Sequence, residues 1–368
     1  MTELFTKEKI NSGRQKELDI AKGLAILFMI LVHINEVYVH PSLETSMYSK
    51  IIEFIGSPPA APIFMFLLGL GIVYSKRSNP KYLIKRGILI FLLAYALNFF
   101  RDFIPFNLLS ILDSDPSYKE EAISSLFGID ILPFAGLTFL FFGIVKKLKF
   151  KDSHIAITWC IFETLNLFLR DNSTGMIVTD RIFGVLWGTN DYSWFPFLSW
   201  IAFPIFGYFF GKLLIRCKNK QLFYKKCFII SLVALVPLVI YAYINGVEFG
   251  AFGDELYQET YYHHDIMGNI ILGTFSVFWI SIIYFITNYI PEKIYIHFAR
   301  WSKNITKMYC VHWILLGYSM LLFELESYMP IKILGLFIVI FIITDIICTK
   351  LSKIKKKSAI KTNPSAAY

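Results

Sequence analysis

The sequence predicts an all-α fold, a polytopic membrane protein with about ten transmembrane helices in one bundle and both termini in the cytoplasm. Three observations point there. Of the 368 residues, 56% are hydrophobic and only 17% charged, whereas a soluble globular chain carries about 25% charged residues. The apolar residues gather into long runs. The basic residues collect between these runs, in clusters that fall on one side when the chain is threaded through a bilayer. The 36 Phe and 21 Tyr exclude a disordered chain, which would be poor in aromatics. A formal charge of +9 would suit nucleic acid if it lay on one soluble face. Broken into short flanks it reads as membrane topology, and no nucleic-acid partner is expected.

A helix crosses the hydrocarbon core with roughly 17 to 25 mostly apolar residues, because unpaired backbone groups cannot be left in lipid. Ten stretches qualify. The first, 20–39, has acidic residues before it and no small-residue cleavage site after it, so it is a retained helix and not a signal peptide. The second, 59–75, opens on prolines and carries Gly69 and Gly71, which suit close helix packing rather than a phosphate loop. The third, 86–100, and the fifth, 155–169, are short, so nine or eleven crossings also fit. Between them lies 129–145. The sixth, 194–215, and seventh, 227–244, follow, then 266–289, then 304–323 with His312 near its middle. The last, 331–349, leads into the basic tail KKKSAIKTNPSAAY.

With the N-terminus in the cytoplasm, 30 of the 36 Lys and Arg fall on the inner side, which fixes the orientation. The domain organisation expected is a cytoplasmic segment 1–19, a membrane domain 20–350 and a cytoplasmic tail 351–368. Outer loops of useful length span 40–58, 101–128, 170–192 and 245–265. They carry few basic residues, Arg101 among them, and many acids, including Asp113, Glu121, Asp254 and Glu255. The five Cys fall in helices or on the inner side, leaving no pair for an outer disulfide, and no Cys/His spacing suggests a metal.

Ionisable groups inside a membrane cost several kcal/mol unless paired or hydrated, so they mark function. The first helix holds Lys22 near the cytoplasmic mouth, then His33, Glu36 and His40 toward the outside. Eleven residues bring a helix back to within about 20° of its starting direction, so Lys22 and His33 share a face about 16 Å apart. That distance is comparable to the reach of a pantetheine arm. A cation could hold a phosphate at the inner rim while an imidazole meets the thioester. His40 lies near the same face if the helix persists. Imidazole suits a general base because it titrates near neutrality, and Glu36 could orient it or stabilise its charged form. Lys85 and Arg86 open the third helix at the same rim as Lys22. They could pair with phosphates, or serve only as inner flanks. Polar residues at Asn98, Asp130, Glu163 and Asn166, with the run Tyr261 to Asp265, predict a wet outer vestibule. His312 is expected to bridge helices through a hydrogen bond.

The opening stretch, with Asp19, Lys22 and Gly23 and then His33 after ten intervening residues, resembles the transmembrane acyltransferases of the acyltransferase 3 family. There the first helix carries an Arg or Lys, ten residues and an essential His. The stretches SPPAAPIFMFLLGLGIVYSKR and SWFPFLSWIAFPIFGYFFGKLL resemble the related heparan-alpha-glucosaminide N-acetyltransferase catalytic domain. The first resemblance implies His33 as the active histidine. The second implies a histidine in the following outer loop, here His40, with His33 standing where that family has Asn.

Either resemblance implies transfer of an acyl group, most simply acetyl, from cytosolic acetyl-CoA or another acyl-CoA to an extracytoplasmic sugar, glycan or glycolipid of the cell envelope. It implies no metal. The sites expected are His33, His40 and Glu36 for catalysis and Lys22, Lys85 and Arg86 for the donor. The setting is a multi-pass protein of the cell membrane, in contact with lipid and compatible with an oligomer. The rival readings are a secondary transporter with an intramembrane His/Glu site and a non-catalytic scaffold or sensor.

Overall fold

The computed structural model describes residues 4–189, 192–247 and 259–362. The acids expected at Asp254 and Glu255 and the last residues of the basic tail lie outside the described residues. Among the described residues there is no sheet, only isolated bridges such as Phe5 to Cys217. Helices α1 (Lys16–Tyr38), α2 (Met47–Gly56) and α3 (Ala61–Tyr74) come first. They are followed by α4 (Pro80–Asn98), which runs through a π-turn at Phe99–Phe103 into α5 (Ile104–Leu112). Then come α6 (Ser117–Leu126), α7 (Ile131–Lys147), α8 (Asp152–Leu169), α9 (Ile177–Phe183), α10 (Phe197–Trp200) and α11 (Ala202–Leu214). The chain closes with α12 (Lys220–Asn245), α13 (Glu259–Tyr262), α14 (Ile266–Thr287), α15 (Glu292–Ser319) and α16 (Pro330–Thr362).

Seven segments are long and apolar enough to cross a membrane: Lys16–Tyr38, Met47–Tyr74, Pro80–Leu112, Phe197–Leu214, Lys220–Asn245, Ile266–Thr287 and Pro330–Ile354. The other three expected crossings are also helical, as α7, α8 and α15. The chain is a multi-pass membrane protein. The third crossing, expected to be short, is part of a 33-residue segment. Lys85, Arg86 and Arg101 interrupt its apolar run in sequence, but helix continues through all three. The expectation that Arg101 sits on an exposed outer loop is therefore corrected. It lies in the π-turn and is 3% exposed.

Helix α1 is the axis of the bundle. It packs against α15 along its length and also touches α2, α3, α14 and α16. Neighbours on every side explain why its apolar residues surround it rather than forming one stripe. Its start is anchored by Asp19, which accepts from Arg14 Nε at 2.5 Å, Tyr295 Oη at 3.0 Å and Ser302 Oγ at 2.7 Å. Helices α3 and α11 touch backbone to backbone, since a Cβ on Gly69 would sit 1.8 Å from the Pro204 carbonyl oxygen. At the periphery, α12 and α16 expose Ile230, Val233, Ile331 and Ile338, an apolar surface suited to lipid. The short α9 exposes Ile177, Val178 and Ile182, which fits a helix lying in the interface plane.

Candidate active site

Two cavities flank the middle of the bundle. The inner one, about 240 Å³, is lined by Lys22, Arg86, Phe64, Gly71, Leu132 and Phe139 among others. The outer one, about 200 Å³, is lined by His33, Glu36, Arg101, Asp102, Glu121 and Asp130, with Trp194, Tyr262 and Trp313 as aromatic walls. A smaller recess of about 40 Å³ extends the outer cavity inward past Met29, Ala61 and Ile131.

In the inner cavity, Lys22 and Arg86 arrive from α1 and α4. The Arg86 guanidinium lies 4.3 Å from the centre of the Phe139 ring, and neither cation has a carboxylate partner among the described residues. Lys85 does not join them. It is one residue away on α4, exposed, and does not line the cavity.

In the outer cavity, the His33 ring is held on both flanks. Its Nδ1 is 3.1 Å from His312 Nε2, and it stacks on Trp313 with ring centres 4.1 Å apart. The Arg101 guanidinium also lies over that indole, 4.3 Å from the ring centre. Arg101 donates through Nε to Asp102 at 2.7 Å and through Nη1 to Asp130 at 2.6 Å. Asp130 also accepts from the Tyr309 hydroxyl and, through its other oxygen, from the Ile131 N–H, so it caps α7. One carboxylate thus joins the π-turn, α7 and α15. A Cβ on Gly317 would sit 1.9 Å from the Arg101 carbonyl oxygen, so only glycine lets α15 come this close to the turn. Glu36 lines the same cavity and forms no ion pair among the described residues. Glu121 reaches in from α6, accepting from Tyr192 Oη and Ser125 Oγ, each at 2.8 Å.

His40 is not brought to this cavity. α1 ends at Tyr38, and Val39 and His40 are extended. Pro41 follows, and the residue before a proline is pushed out of the helical region. The His40 ring instead contacts Ser42 Oγ at 2.8 Å.

The polar groups expected in the outer half divide. Asn98 donates to the carbonyls of Leu126 and Gly128. Glu163 accepts from Trp159 and Asn269, and Asn166 donates to the His264 carbonyl. These groups tie helices together and do not line the outer cavity. Burial holds the His264 imidazole below its usual range, and His263 contacts Asp171 and the Ser193 carbonyl, each at 2.5 Å.

Lys22 and His33 therefore lie on one rod in two separate cavities with no lining residue in common. The wall between them is thin. Ala61 in the outer recess and Phe64 in the inner cavity are one turn apart on α3, about 4.5 Å along its axis. Ile131 and Leu132, also on opposite sides, are adjacent on α7.

The sequence profile of the heparan-alpha-glucosaminide N-acetyltransferase catalytic domain matches residues 14–243. The chain belongs to this family. No curated protein matches it. Of the two resemblances in the sequence, the match carries the second. It runs from α1 into α12, more than half of the chain, and contains Lys22, His33, Glu36, Arg86, Arg101 and Asp130, whereas His312 and Trp313 lie beyond it. Membership in the heparan-alpha-glucosaminide N-acetyltransferase family makes this a membrane acetyltransferase whose donor is acetyl-CoA. Among the described residues, no group of three or more His, Cys, Asp or Glu is placed to hold a metal ion.

Proposed function

We propose that the protein moves an acetyl group from acetyl-CoA on the cytoplasmic side to the amine of an extracytoplasmic amino sugar or glycan, with about ten crossings and both termini inside. The observation that carries this reading is the pair of cavities in line along α1, a cationic one toward the basic flank and an imidazole-bearing one toward the acidic flank.

In this reading Lys22 and Arg86 hold phosphates of the donor, as unpaired cations do. The pantetheine arm parts the layer at Met29, Ala61 and Ile131, and the thioester carbonyl comes to lie beside His33. His33 takes the proton of the attacking amine as the nitrogen bonds to the carbonyl carbon. The thiolate then leaves and takes that proton from the His33 imidazolium, giving the amide, free coenzyme A and neutral His33. Four carboxylates and one guanidinium line the outer cavity, so its field attracts a cationic acceptor, and Glu36 is the carboxylate left free to take the first proton of its ammonium, which gives the neutral amine that attacks. The aromatic walls suit the apolar face of a sugar ring. His40 and Lys85 lie outside both cavities and are given no contact with the reactants.

The test is purified protein in detergent with acetyl-CoA and glucosamine, read by thiol release and by mass spectrometry of the product. Thiol release should depend on the amine, and His33→Ala should lower it by about 10²-fold or more. Solute flux in liposomes with no acetylated product would overturn the proposal in favour of a transporter.

A further inference from the structure

His312 is wholly buried on α15, and its partners fix the position of each ring proton. Its Nδ1 is 3.0 Å from the carbonyl oxygen of Met308, one turn back on the same helix. A carbonyl only accepts, so this nitrogen carries the proton. In the neutral ring the other nitrogen, Nε2, then presents a lone pair. That lone pair faces His33 Nδ1 at 3.1 Å, with the two rings 12° from parallel. His33 must therefore donate from Nδ1, which leaves its own lone pair on Nε2.

We infer that His312 is a positioning residue that locks His33 in the Nδ1–H form, and so dedicates Nε2 of His33 to accepting the acceptor's proton. The inference rests on the proposed role of His33 as base. When the acceptor N–H bond breaks, its proton bonds to His33 Nε2, and the His33 Nδ1–H stays in place, directed at the His312 lone pair. The imidazolium so formed is held by a neutral acceptor where a catalytic triad uses a carboxylate. The groups facing this pair are Glu36 on α1, Arg101 on the π-turn, Asp130 before α7, and Tyr309 and Trp313 on α15. Asp130 is engaged by Arg101 and Tyr309, so the described hydrogen bond of His33 Nδ1 is the one to His312.

The experiment compares wild type with H312L and H312Q in full-length protein labelled with ¹⁵N-histidine, with the His33 signals identified by their loss in H33Q. Wild-type His33 should show a protonated Nδ1 and an unprotonated Nε2. H312L should give a mixture of tautomers, and H312Q, whose amide oxygen can accept, should keep the wild-type pattern. In parallel, H312L should lower kcat for acetyl transfer by about 10²-fold with little change in KM for acetyl-CoA, and H312Q should recover most of that loss. An unchanged His33 pattern in H312L, a changed one in H312Q, or a mixed pattern in wild type overturns the inference. So does full activity in H312L. Should H312L fail to fold, H312Q and wild type alone decide, because loss of the wild-type pattern in H312Q contradicts the lock. A locked wild-type pattern without any acetyl transfer would overturn the transferase reading and leave the hydrogen-bond assignment standing.

Discussion

Arg101 shows what a single side chain does in this bundle. Its guanidinium is surrounded by two carboxylates and an indole, and removing it strands Asp102 and Asp130 in a buried site. Breaking a buried pair from one side costs about 3 to 5 kcal/mol, so Arg101→Leu should lower the thermal midpoint in detergent sharply. Gly71 makes the opposite case. A Cβ there would meet nothing within 4 Å, and the residue lines the inner cavity. Gly71→Leu should leave stability unchanged or slightly higher, since glycine inside a helix costs about 1 kcal/mol relative to alanine. It should raise KM for acetyl-CoA about tenfold, measured by thiol release. Of the residues in the two cavities, Lys22, His33, Glu36 and Arg86 are legible in the sequence, because helix geometry alone puts them on one face or one rim. Arg101 is not, because its charge lowers local hydropathy and makes a buried turn look like a loop. Its signal would have been the apolar residues on both sides of it. His40 is misplaced by extending α1 through Pro41, a breaker already present in the sequence.

At the scale of elements, the helices follow from apolar runs, but their partners do not. That α1 lies on α15, bringing His312 to His33, is a fact of packing between segments 279 residues apart. Periodicity carries no such information. The outer segment around α9 is held differently. Asp180 accepts from Ser173 Oγ and from the N–H and hydroxyl of Thr174, and these bonds hold its carboxyl below the usual range. A carboxylate depressed in this way stabilises the fold fully above its unfolded pKa, about 3.9, and the contribution is lost as pH falls through the lower folded value. Residues 173–180 should stay protected at neutral pH and become open to proteolysis only below about pH 4. Asp180→Asn should be nicked at pH 7 and show little further change on acidification. Limited proteolysis across pH reads both.

For the whole molecule, the sequence carries the all-α fold class and each of the ten helical runs. What it cannot carry is the division of the interior, which depends on side chains from α1, α3 and α7 meeting in one layer. Ala61 is the small residue in that layer. Ala61→Leu should thicken it, lowering kcat for acetyl transfer at least tenfold while binding of desacetylated coenzyme A, read by calorimetry, stays within about twofold. Overpacking of this kind costs about 1 to 3 kcal/mol, which a bundle of this size can absorb. Equal loss of binding and turnover would mean that the donor never crosses there.

That same layer bears on the life of the cell. A membrane enzyme that handles a cytosolic reagent and an external acceptor risks becoming a leak, through which protons and ions drain the energised gradient. On the proposed route, the inner and outer hollows share no lining residue, so the idle protein offers no continuous channel between them. On that route the layer opens only as a donor arm fills the gap it makes.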